Sequence, residues 1–139
     1  MSVFPTHRHA SAWASVSPGN NESAGKNKRA GARKGNVHLA AVLFQAALGA
    51  AHTKGSYFKD KYFRLRARRG PKRAALAIAH KILVAAYHML RTGRAYTELG
   101  DLYLDRIHRS RVAGTLVHRL QRLGYAVHVE DQNVGIAGG

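Results

Sequence analysis

Tyr57-Phe58-Lys59-Asp60-Lys61-Tyr62-Phe63-Arg64-Leu65-Arg66-Ala67-Arg68-Arg69-Gly70-Pro71 is the stretch on which the fold turns. Phe58, Tyr62 and Leu65 stand at i, i+4 and i+7, one face of a helix. The other faces carry Lys59, Lys61, Arg64, Arg66, Arg68 and Arg69. Gly70 suits the residue just past a helix end, and Pro71 suits the first turn of the next. The spacing therefore predicts two helices, 57–69 and 71–92, meeting at a Gly-Pro corner, with Gly93 ending the second.

Working outward, Asn36 is an N-cap candidate for a helix over Val37–His52. That run is apolar on nearly every face, the pattern of a central core helix. A break at Thr53–Gly55 leads to Ser56, a second cap candidate. Downstream, Arg94–Arg109 has no clear period and reads as irregular chain with room for a short helix. Ser110 is a cap candidate for a further helix with Val112, Leu116, Leu120 and Leu123 along one side, ended by Gly124. Tyr125–Glu130 alternates weakly, which is compatible with a short C-terminal edge strand. The fold expected is mainly α: a compact helical domain of about four helices behind a basic N-terminal loop. By composition the chain divides into a basic Gly/Ser/Asn-rich segment (1–35), a helical domain (36–130) and a frayed tail (131–139).

The 139 residues include 23 Lys plus Arg against 7 Asp plus Glu, a formal net charge of +16. Such an excess opposes compaction by self-repulsion unless a polyanion neutralises it, and nucleic acid is the usual one. There are no cysteines, which excludes disulfides and thiolate metal sites. The N-terminus offers no apolar run of signal-peptide length. Asn36–Ala51 and Ala74–Leu90 fall short of the ~20 clean apolar residues of a spanning helix. No membrane partner is expected.

Nine Lys or Arg lie between Lys54 and Arg73, opposed only by Asp60. Intrahelical pairing cannot neutralise them, so nucleic-acid contact is the better reading, with Arg suited to bidentate phosphate binding. Lys61, Arg64, Arg68, Arg69, Lys72 and Arg73 are the candidate contacts. The nine histidines form no HExxH or comparable ligand pattern. His80 and His88 sit roughly 12 Å apart along a helix, too far to share one ion. No metal ligand is assigned.

Pro18-Gly19-Asn20-Asn21-Glu22-Ser23-Ala24-Gly25-Lys26 is not a phosphate-binding P-loop. Five residues separate its glycines and Asn27 follows the lysine, where that motif needs four and Ser or Thr. Ser23 does precede several cations: Lys26, Lys28, Arg29, Arg33 and Lys34. A serine attacking phosphorus needs cations around the phosphoryl oxygens. On these residues alone, a solvated basic loop with an incidental serine is the simpler account.

A resemblance changes that balance. Phe4-Pro5-Thr6, Trp13-Ala14, Pro18–Lys26, Arg33-Lys34-Gly35-Asn36, His52-Thr53-Lys54, Tyr62 with Arg64-Leu65, Arg68–Ala74, Ala79–His88 and Leu120–Tyr125 follow one another in order. Together they resemble the C-terminal domain of transposases of the insertion-sequence 110/116/902 family, over about Ser2 to Val129. The resemblance implies that Ser23 is a nucleophile that links transiently to DNA. It also implies, for the full-length enzyme, a RuvC-like domain with four acidic Mg²⁺ ligands, a homo-oligomer and, in some members, an element-encoded guide RNA. That acidic domain has no counterpart among these residues, so the expectation is a truncated product, inactive alone and without a cofactor of its own. Ser17 stands where many relatives carry Cys. The expected location is the cytoplasm, at the nucleoid. The rival reading is a non-enzymatic basic nucleic-acid-binding protein.

Overall fold

The computed structural model describes residues 2–17 and 35–132, together with the backbone of 22–23 and 26–27. It is mainly helical. The elements are α1 (His7–Trp13), β1 (Glu22–Ser23), β2 (Lys26–Asn27), α2 (Val37–His52), α3 (Tyr57–Arg69), α4 (Pro71–Thr92), α5 (Tyr103–Ile107) and α6 (Arg109–Arg122). The chain packs as two units, Met1–Leu104 and Asp105–Gly139, so the packing boundary falls within α5 and differs in kind from the compositional divisions.

Local chemistry sets the helix ends. Leu39 N–H donates to Asn36 Oδ1 at 3.0 Å, and Lys59 N–H donates to Ser56 Oγ at 3.2 Å. Each cap satisfies one of the four amide donors that a helix start leaves without a partner. Gly70 (φ +81°) closes α3 and Pro71 opens α4, while Gly93 (φ +68°) adopts the left-handed conformation that ends α4. These bounds agree with the sequence reading.

Within the first unit, α4 packs against α1, α2 and α3. The core joins Leu43, Ala47 and Ala51 of α2, Tyr62 of α3, Ala74, Ala75, Ile78 and Ala79 of α4, and Ala14 and Val16. Phe58 and Leu65 pack beside Tyr62, so the i, i+4, i+7 face of α3 is the buried one. The many alanines let the helix backbones approach closely. Ile78 is fully buried among them. Replacing Ile78 with Ala should cost about 2–5 kcal/mol, read as a lower midpoint in chemical denaturation with the slope unchanged.

Three expectations are corrected. The helix α2 is not buried all round: Val37 and Val42 are exposed, and only one face meets the core. Its alanines give every face an apolar character that small surface residues do not need to bury. The helix α6 begins at Arg109 after His108, which offers no side-chain cap, and Ser110 lies inside the first turn. Val112 N–H already bonds the His108 carbonyl at 2.9 Å, so the helix starts before the serine. Tyr125–Glu130 forms no strand. A lone extended segment has no ladder to join, because the paired backbone among the described residues is confined to β1 and β2. In the second unit, Leu116, Leu120 and Leu123 line one side of α6 as expected but stay exposed.

Candidate functional site: the Ser23 segment and the basic helical corner

The segment containing Ser23 leaves and rejoins the helices through a narrow neck. After α1, Ser15 adopts φ +56°, a left-handed conformation uncommon for a residue with a Cβ. Val16 N–H then donates to the Ser11 carbonyl at 3.1 Å, and Val16 is fully buried. On the returning side, Asn36 N–H donates to the Trp13 carbonyl at 2.9 Å. Asn36 thus closes the neck with its backbone and caps α2 with its side chain.

Gly35 fits only because it lacks a Cβ. An added Cβ would lie 2.1 Å from Ser15 Oγ and 2.5 Å from the Trp13 carbonyl oxygen. The Ser15 hydroxyl could rotate, but the carbonyl is held by its bond to Asn36. Gly35→Ala should therefore destabilise the chain by about 1–3 kcal/mol as overpacking. Gly49→Ala meets no atom within 4 Å, and in a helix should instead stabilise by roughly 0.5–1 kcal/mol. Paired denaturation curves check both signs.

Inside this segment, β1 and β2 pair antiparallel, with Ser23 opposite Lys26 and Glu22 opposite Asn27. The backbone therefore makes the expected nucleophile and the first expected phosphate-binding cation cross-strand partners. Lys28, Arg29, Arg33 and Lys34 lie outside the described residues.

The second group of expected contacts lies along α3 and the start of α4. Arg64, Arg66, Arg68, Arg69, Lys72 and Arg73 are exposed, and Lys61 is half-buried. Arg64 Nε donates to both carboxylate oxygens of Asp60 at 2.9 Å, so the segment's one acid is already engaged. Lys61 Nζ sits over the Tyr57 ring, 5.7 Å from its centroid, and Arg66 stacks at 5.9 Å over Phe63. Arg68, Arg69, Lys72 and Arg73 make no ion pair among the described residues. Arg68 and Arg69 complement the negative end of α3. Lys72 and Arg73 have no such compensation: they add to the positive end of α4, whose first turn holds no acid. The Gly70-Pro71 corner is thus a concentrated positive surface.

One carboxylate that the sequence reading passed over shapes the other end of α3. Glu98 Oε1 accepts from Tyr57 N–H at 2.8 Å and from Gly100 N–H at 3.0 Å. Burial acts to raise its pKa, but these amides, Leu99 N–H and the Tyr96 hydroxyl outweigh it and hold the group below the ordinary carboxylate range. Tyr96 stacks on Phe58 with centroids 5.7 Å apart, fixing the same loop. Burial, then Glu98, pushes the Tyr96 phenol up. The pairing spans 41 residues, and no local pattern announces it.

Among the described residues, no group of three His, Asp or Glu is placed to hold a metal ion. Nor is any helix among them long and apolar enough to cross a membrane.

Together, the neck, the hairpin and the cationic corner define a basic helical domain that presents a serine-bearing segment. Residues 1–63 match the model of the transposase IS116/IS110/IS902 family, a span covering α1, the Ser23 segment, α2 and the first half of α3. Over this region the chain is similar to that family, in line with the resemblance in its sequence. No curated protein and no solved structure matches it.

Proposed function

We propose that this chain is the DNA-handling part of an insertion-sequence transposase, with Ser23 as the nucleophile of strand transfer once joined to an acidic metal-binding domain. The observation that carries the reading is the family match across the Ser23 segment, whose backbone sets Ser23 opposite Lys26. Ser23 Oγ would attack a backbone phosphorus, forming a phosphoserine link as the bond to one sugar oxygen breaks. Lys26, Lys28 and Arg29 would neutralise the charge on the phosphoryl oxygens. Lys61, Arg64, Arg68, Arg69, Lys72 and Arg73, with Arg33 and Lys34, would hold the nucleic-acid backbone, giving affinity with little sequence readout. DNA is the partner in this reading. A guide RNA and a homo-oligomer would belong to the assembled enzyme, which would act at the nucleoid.

The test is to mix the chain with a separately produced acidic domain of the family, Mg²⁺ and labelled element-end DNA, then trap protein–DNA adducts under denaturing conditions. A serine-linked adduct supports the proposal. Salt-sensitive DNA binding without an adduct under any metal condition would leave the rival, a non-enzymatic nucleic-acid-binding protein.

A further inference from the structure

Among the cations of α3 stands one side chain for which phosphate contact has no use. Phe63 is 45% exposed, although Phe58, Tyr62 and Leu65 of the same helix all pack on the core. Its helix neighbours are Lys59 at i−4, Asp60 at i−3, Arg66 at i+3 and Ala67 at i+4. Ala67 is exposed and too short to cover the ring, and Asp60 is engaged by Arg64. Arg66 lies over the ring, 5.9 Å from its centroid. The buried Tyr62 meets Phe63 edge-on, with centroids 5.4 Å apart and planes at 82°, and so braces it from the core side. Phe63 is a braced, solvent-facing ring set among cations.

We propose that Phe63, with Arg66, is a stacking platform for an unpaired base of the DNA whose phosphates the α3 cations hold. A phenyl ring offers a π face and no hydrogen-bonding group, so it can read no base edge. In an intact duplex each base face is covered by its neighbours, and a ring that enters the stack must meet the cost of unstacking. An unpaired nucleotide presents a bare base face and a phosphate together. Phe63 matches the first, Arg66 adds cation–π attraction, and Lys59, one turn back on the same side, suits the second. Charge decides the class of partner. From Tyr57 to Arg73 eight Lys or Arg stand against Asp60 alone, so a second copy of this chain would bring like charge to like charge. A polyanion that also carries flat apolar faces satisfies both the ring and the cations.

The proposal rests on the strand-transfer reading for where unpaired nucleotides arise; the ring has its own signal. Stacking carries no charge, so it adds to affinity without adding to salt dependence. The full chain is titrated over a salt series with a short oligothymidylate and with a duplex of the same length. Phe63→Ala should weaken single-strand binding about tenfold, within the range found when one stacked base loses its aromatic partner. The slope of log affinity against log salt should stay as in the wild type, and so should duplex affinity. Arg66→Gln should instead lower the single-strand slope by about 0.7. Phe63→Trp should keep wild-type affinity. Should Phe63→Ala fail to fold, Phe63→Leu, which keeps apolar bulk without a π face, should show the same loss. Wild-type single-strand affinity in the folded variant, or an equal loss on duplex, would overturn the proposal. So would a changed sedimentation coefficient with single-strand affinity intact, which would assign the ring to a protein contact. A ring-dependent single-strand affinity without any serine-linked adduct would sink the nucleophile reading and leave the platform standing.

Discussion

Replacing Ser23 with Ala should abolish the serine-linked DNA adduct of the reconstituted enzyme while leaving the salt dependence of DNA binding unchanged. The substitution removes one hydroxyl oxygen, the atom that would bond to phosphorus, and no charge. Residual transfer through water would release free DNA ends without a protein link, so the adduct is the informative product. Loss of a covalent nucleophile removes a reaction path altogether, and the deficit should exceed the roughly 10²–10⁴-fold typical of a missing acid–base group. Binding should survive because the described closure of the neck runs through Trp13, Ser15, Val16, Gly35 and Asn36, none of which is changed. An adduct of wild-type yield from Ser23→Ala would mean that another residue carries the link.

The second large effect should come from the Gly70-Pro71 corner. Arg68, Arg69, Lys72 and Arg73 replaced together by Gln should weaken binding to non-specific duplex DNA by nearly a thousandfold, at about 1 kcal/mol for each lost phosphate contact. The slope of log affinity against log salt should fall in magnitude by about 3–4, since each neutralised phosphate contributes about 0.9. A companion variant with Arg109, Arg111, Arg119 and Arg122 of α6 changed to Gln removes the same formal charge from the other unit. Equal losses in both variants would show that net charge rather than the corner drives binding. A loss confined to the corner variant supports the interface described.

The fold was legible where its determinants are local. Asn36, Ser56, Gly70-Pro71 and Gly93 each act within a few residues, and the observed bounds of α2, α3 and α4 follow from them. Burial was less legible, because alanine suits a core and a surface alike; α2 shows this, with Ala47 buried and Val42 exposed. The start of α6 escaped notice because His108 caps it with backbone alone. At the site, the density of cations between Lys54 and Arg73 can be counted in the sequence, but not the Asp60–Arg64 pairing that spends the only acid. Gly35 stands in a recognisable Arg33-Lys34-Gly35-Asn36 run, yet its steric reason appears only when Trp13 and Ser15 are brought against it. The contact of Glu98 with the start of α3 is tertiary and has no periodic signature.

The central claim is that the serine in the hairpin between Val16 and Gly35 is the atom donor to DNA. The most direct measurement is peptide mapping by mass spectrometry of the adduct trapped on element-end DNA. The account predicts a nucleotide mass on the peptide containing Ser23, attached at that residue. A nucleotide mass on any other residue would contradict it.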